Sequence, residues 1–162
     1  MERRAVRWDA MTYSVQVEQV GSRQLAVAHG VAARDTLGPT IIRLLDQVWP
    51  VLRAQGLKTE HNVVVYRGGL EHIEAGVEIL GGSLVETAVV KCSQTPAGTV
   101  ATVRHTGEYA AVGAAYAALE RFCREQGHGR TSLSWEVYGD WSDDPAQRHM
   151  DVFWLLAPPA GP

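Results

Sequence analysis

The chain has 162 residues, 46% hydrophobic and 20% charged, with a formal net charge of −3; this supplies one full core without disulfide or metal staples. The slight acidity removes the basic footprint of a phosphate-binding protein, and Arg3-Arg4 is too small a cluster to restore it, so no direct nucleic-acid contact is expected. Cys92 and Cys123 form no Cys-x-x-Cys pair, no secretory leader is evident, and every apolar stretch breaks well short of a bilayer-spanning length. The expectation is a cytoplasmic protein with reduced thiols and no membrane contact.

Residues 1–12 are charged and irregular and are expected to be a flexible N-terminus. Residues 13–20 alternate apolar and polar side chains as a half-buried strand does, Gly21-Ser22 turns the chain, and residues 24–32 form a second strand. Asp35 or Thr36 caps a helix over 37–55, with Ile41, Leu44, Leu45, Val48 and Leu52 at helical spacing and Gly56 as its stop. Pro50 predicts a kink or an irregular last turn after Trp49. Strands over 61–67 and 73–80 flank a Gly68-Gly69 turn, and Gly81-Gly82-Ser83 begins a link to the second half of the chain.

The same order then recurs. Strands over 84–94 and 98–105 precede a helix over 109–126, whose run of alanines suits close approach to a sheet. Strands over 133–138 and 150–156 are joined by a polar loop, 139–148. Residues 159–162 read as a loose tail, because proline cannot donate to a strand ladder. Val27-Ala28-His29 matches Val103-Arg104-His105, Gly38 matches Gly113, Gly56 matches Gly127, Val65-Tyr66 matches Val137-Tyr138, and His72-Ile73-Glu74 matches His149-Met150-Asp151. Two copies about 71–77 residues apart are too few and too long for a solenoid and predict a duplicated half closing on itself. One domain over 13–158 is expected, with copies over about 13–82 and 83–158.

The copies differ where chemistry could lie. Val64 in the first is Glu136 in the second, an acid among Trp135, Val137 and Tyr138. Strand alternation places Ser134, Glu136 and Tyr138 on one face and Leu133, Trp135 and Val137 on the other. If the odd-numbered set packs under the helices, Glu136 faces a groove between the halves, where a carboxylate walled by rings holds an organic cation. The plain alternative is a solvated Glu136 paired with a surface arginine. Most of the aromatic residues, Trp8, Trp49, Tyr66, Tyr109, Tyr116 and Phe153 among them, suit a core. The concentration of Trp135, Tyr138, Trp141, Phe153 and Trp154 in the last hairpin nevertheless suggests a lined pocket. The six histidines have no metal-type spacing, and no phosphate loop or nucleophile elbow is present, so no metal or cofactor is expected.

Pro96-Ala97-Gly98-Thr99-Val100-Ala101 leading to His105-Thr106-Gly107-Glu108-Tyr109, then Trp135-Glu136-Val137-Tyr138 and the closing strand to Pro158, resemble the GyrI-like family. These are the effector-binding domains also found at the C-terminal end of multidrug-sensing transcription activators. The resemblance implies an α+β fold, with tandem βαββ modules forming a curved antiparallel sheet, two main helices on one face and a ligand groove on the other. Glu136 matches the family's groove glutamate, which pairs with lipophilic, often aromatic cations. Tyr109, Tyr138 and Phe153 match positions commonly aromatic in the family, and Tyr66, Trp135, Trp141 and Trp154 join them as expected lining. Glu108 stands where proline is frequent, which leaves the helix start less rigid.

No helix-turn-helix precedes Tyr13, so the expectation is a stand-alone ligand domain for drug sensing or sequestration, with a lipophilic small molecule as its partner. Stand-alone relatives also resemble hydrolases that open the cyclopropane rings of DNA-alkylating natural products. In that reading Glu136, its pKa raised by burial, acts as acid or base, and Tyr109 or Tyr138 donates to the oxyanion. A protein partner such as DNA gyrase is a further reading. The similar architecture of haem-binding SOUL proteins adds a porphyrin pocket, though His29 and His105, at matching places in the copies, are more simply turn residues than iron ligands. Sequence sets neither the natural ligand nor the oligomeric state.

Overall fold

The computed structural model describes residues 13–159; Trp8, the expected flexible N-terminus and residues 160–162 of the expected tail lie outside the described residues. The elements in chain order are β1 (Gln16–Val20), β2 (Gln24–Gly30), α1 (Leu37–Gln55), β3 (Lys58–Arg67), β4 (Ile73–Gly81), β5 (Lys91–Gln94), β6 (Gly98–Thr106), α2 (Gly113–Gln126), β7 (Arg130–Tyr138) and β8 (His149–Leu156). The strands form one antiparallel sheet in the order β1-β6-β8-β7-β3-β4-β2-β5. This is the curved α+β architecture expected from the sequence. Among the described residues, no helix is long and apolar enough to cross a membrane.

Exchanging β1–β4 for β5–β8 reverses that strand order onto itself, so the sheet has a two-fold pseudo-axis between β3 and β7. The register places it at one residue pair, Val64 facing Glu136. The first strand of each copy has crossed over, β1 pairing with β6 and β5 with β2. The register also corrects the matching of the histidines. His29 faces Glu74 and Arg104 faces Asp151, so the counterpart of His29 is Arg104 and not His105. Side chains alternate with a period of two, and a one-residue slip sends them to opposite faces. His105 accordingly points under α2, bonded to the Tyr13 hydroxyl and the Glu108 carbonyl, while His29 lies on the other face against Glu74.

The helices cover one face. Leu44, Val48 and Leu52 of α1, at intervals of four, pack on Ala26, Val64, Ala75 and Val77. Ala115, Leu119 and Cys123 of α2 pack on Ala101, Val103 and Val152. Of the alanine run, Ala115 meets the sheet, whereas Ala114 and Ala117 face solvent. Because α1 sits chiefly on β2 and β4 and α2 on β6 and β8, the central strands β3 and β7 lie between them.

The opposite face buries its own core of Leu25, Val27, Val63, Val65, Val100 and Trp135 with no helix of the described residues over it. Curling of the sheet covers it. In a flat sheet β1 and β2, six spacings of about 4.8 Å apart, would be roughly 29 Å distant, yet residues 21–23 that join them reach about 14 Å at most. The β1–β2 and β5–β6 links meet across this concave side, Thr95 N donating to Arg23 O at 3.0 Å and Arg23 N to Thr95 Oγ1 at 2.9 Å. The β2 backbone comes close over β4 at Gly76, where a Cβ would stand 1.8 Å from the Ala26 carbonyl oxygen.

Several boundaries differ from the sequence expectation. α1 runs unbroken through the exposed Pro50, since the bond lost there faces water. Thr36 ends a short 3-10 turn by bonding back to Ala33 rather than capping α1. β5 occupies only the end of the stretch expected over 84–94. Before it, the Thr87 and Glu86 side chains take the amides of Val89, Val90 and Cys92, an alternative to ladder pairing. The expected start of the second helix is a separate 3-10 turn, Tyr109–Ala111.

Gly76→Ala is expected to destabilise the protein by about 3 kcal/mol or more, because backbone must move. Gly38→Ala, in open space on α1, should gain about 0.5–1 kcal/mol. Denaturant unfolding compares the two; equal effects would contradict the close approach described.

Candidate functional site

On the pseudo-axis Glu136 is flanked in the sheet by Val64 on β3 and Val152 on β8. Val64 packs against α1, so facing residues Val64 and Glu136 share the helix-covered face. The even-numbered side of β7 therefore looks toward the helices, the reverse of the arrangement that would have opened Glu136 to the concave face. Alternation defines two sides of a strand, but the helices choose between them through long-range packing. Nor is Glu136 solvated and paired with a surface arginine: it is 4% exposed.

Three tyrosine hydroxyls hold the carboxylate. Tyr66 and Tyr138, counterparts across the pseudo-axis, donate to Oε1 at 3.1 and 2.9 Å. Tyr116, from α2, donates to Oε2. Among the described residues no lysine, arginine or histidine forms an ion pair with Glu136. Burial pushes the Glu136 carboxyl above its ordinary range, and the three hydroxyls offset only part of that rise. Burial beside this acid likewise holds the Tyr66, Tyr116 and Tyr138 hydroxyls protonated, so they remain donors.

The other buried acids have different company. Glu78 meets Arg23 at 3.0 Å. Glu74 meets Arg67 at 3.1 Å and His29 at 3.2 Å, and also accepts from Ser93. Burial raises the Glu74 carboxyl, but Ser93, Arg67 and His29 together bring it below its ordinary value. Glu74, His29 and His72 place ligand atoms within 4.8 Å of one another, a cluster that spacing along the chain had hidden because it forms across β2 and β4. The Arg67 charge already on Glu74 opposes a metal ion there.

The aromatic residues singled out from the sequence divide between the faces. Tyr138 meets Tyr109 edge-on at 5.1 Å, and Tyr109 lies 6.3 Å from Trp141, which is 65% exposed with the Arg148 guanidinium 3.8 Å over its ring. A line of rings thus runs from the carboxylate to the surface. Tyr109 makes no hydrogen bond to Glu136, the role considered for it as an oxyanion donor; Tyr138 does. Trp154 lies 6.2 Å from Tyr116 on the helix-covered side. Trp135 and Phe153 stack on each other at 5.2 Å on the concave side, separated from Glu136 by the sheet itself. Tyr116 was legible only as core. Its place beside Ala115, Leu119 and Cys123 on the buried stripe of α2 is the signal that turns its hydroxyl to the sheet. Chemically, the arrangement can accept an organic cation in place of tyrosine donors, or hold a protonated acid in an apolar setting.

No protein-family model and no curated protein matches the sequence. Solved structures share the fold. EcmrR in a complex with DNA superposes with TM-score 0.76 at 17% identity over 96% of this chain, which spans 61% of that one. The EcmrR C-terminal domain alone gives 0.71 at 18% identity, covering 90% of this chain and 98% of that one. SAV2435 bound to tetraphenylphosphonium gives 0.66 at 12% identity, covering 89% and 94%.

The pH dependence of stability checks the state of Glu136. With its folded pKa above the ordinary value of 4.5, the stability it confers is full below that value and declines as pH rises through the raised one. Glu136→Gln cannot ionise. It should exceed the wild type in stability by about 1–3 kcal/mol at pH 8, with the margin shrinking toward pH 5, in urea unfolding at both values. A variant weaker than the wild type by the same amount at both would contradict this.

Proposed function

We propose that the protein binds lipophilic aromatic cations at Glu136, as a drug-sensing or sequestering module. The observation that carries this is the buried carboxylate with three hydroxyl donors and no cation among the described residues. Such a group lacks the one partner that most stabilises it, and an incoming cation supplies that charge in a low-dielectric site where the attraction is strongest. As the cation enters, tyrosine hydroxyls give way and ring faces turn toward it, adding cation–π attraction. Tyr109 and Trp141 form the aromatic approach, and Tyr66, Tyr116 and Tyr138 the inner wall. The likeness to SAV2435, which binds tetraphenylphosphonium, a lipophilic aromatic cation, supports the same class of ligand for this chain.

A second reading rests on the raised Glu136 carboxyl, since a protonated acid with adjacent hydroxyls suits acid catalysis on a strained ring. A hydrolase encoded by lin2189 of Listeria innocua shares the fold with TM-score 0.58 at 10% identity, covering 89% of this chain and 92% of that one. The cation-binding reading is preferred, because three tyrosine hydroxyls already occupy the carboxylate oxygens, and a cation brings the charge that can displace them whereas a water molecule brings none.

Tetraphenylphosphonium should bind the wild type, and Glu136→Gln should weaken it by about 1–3 kcal/mol, roughly 5- to 150-fold, in calorimetric titration. Equal affinities would refute the proposal. Incubation with an electrophilic cyclopropane compound followed by mass spectrometry should give no water adduct; multiple turnovers would favour the hydrolase.

A further inference from the structure

The curled sheet opens at one end into a cleft of about 830 Å³ on the concave face, away from Glu136. Trp135 and Phe153, stacked within 8° of parallel, form an aromatic wall, and the β1–β2 link forms the opposite side. This wall belongs to the second copy alone. The register makes Val63 and Gly76 the counterparts of Trp135 and Phe153, and at Gly76 the β2 backbone comes close over β4.

Two observations give the cleft a ligand chemistry. Of the four carboxylates that line it, Glu78 pairs with Arg23 and Asp151 with Arg104, while Glu18 and Glu60 are exposed and form no ion pair among the described residues. The second is independent of charge. Trp135 is 3% exposed, and no acceptor among the described residues takes its indole N–H. Yet among those residues no side-chain nitrogen or oxygen is sealed away without a partner. The Trp135 N–H therefore keeps a small access to solvent, on a residue that lines the cleft.

We propose that this cleft is a second small-molecule site, taking a flat organic cation that carries an oxygen acceptor. The cation lies toward Glu18 and Glu60, its rings against the Trp135–Phe153 wall, and its oxygen accepts from the Trp135 N–H. The inference goes beyond the reading of Glu136 and does not depend on it.

Berberine is a suitable probe, being flat, permanently charged and bearing ether oxygens. Titrated into Glu136→Gln protein, it should shift the Trp135 indole N–H signal in nitrogen–proton correlation spectra, assigned by its loss in Trp135→Phe. Glu18→Gln combined with Glu60→Gln, both at exposed positions, should weaken that binding at least fivefold, with tetraphenylphosphonium affinity unchanged when measured on the otherwise wild-type chain. A Trp135 signal unmoved at saturating berberine, or an affinity indifferent to the two substitutions, would overturn the proposal. Should Glu136→Gln abolish all berberine binding, the cleft is likewise refuted, while the reading of Glu136 stands.

Discussion

The bond between one carboxylate and three tyrosine hydroxyls is the constraint around which the helix-covered face is arranged. Removing a carboxylate from water costs several kcal/mol even after relaxation, and hydroxyl donors return only part of it. Elsewhere in the sheet the chain meets this cost in the usual way, with Arg67 on Glu74 and Arg23 on Glu78. At Glu136 it does not, and the donors come from β3, β7 and α2 at once. A stabilising core would place an apolar side chain there, as the first copy does with Val64. An acid kept without a counter-charge among the described residues is the observation on which the proposed site rests.

The pseudo-axis explains why the acid occurs once. Val64 and Glu136 face each other across it, so glutamate in both copies would set two buried carboxylates side by side, where like charges repel and one must take up a proton. The tyrosines are under no such limit. Tyr66 and Tyr138 are related by the axis and converge on the same oxygen, which duplication provides without further change. Tyr116 has no such mate, and it sits on the helix that packs on fewer strands. Symmetry thus supplies the paired donors, and departures from symmetry supply the acid, the third donor and the Trp135–Phe153 wall.

Much of this was legible in the sequence, for reasons that differ from residue to residue. The order of elements followed from periodicity and glycine stops, and Glu136 stood out because its counterpart is apolar. The match of Val65-Tyr66 to Val137-Tyr138 already contained both axis-related donors. What was hidden required long-range information. Alternation cannot say which side of β7 the helices cover, and clustering along the chain puts Trp135 and Phe153 in one lining with Glu136 although they lie on the other face. Matching His29 to His105 by likeness overlooked a one-residue slip that only pairing with β4 and β8 reveals. The crossing of β1 and β5 between copies, and the curling it forces, depend on contacts 64–86 residues apart.

The protonation of Glu136 itself tests the central claim most directly. Carbon-13 detection of its side-chain carboxyl, assigned against Glu136→Gln, gives the titration with and without tetraphenylphosphonium. The account predicts a midpoint above the ordinary 4.5 in the free protein and a downward shift when the cation binds, because the added charge stabilises the ionised form. A midpoint at or below 4.5 that the cation leaves unmoved would contradict it.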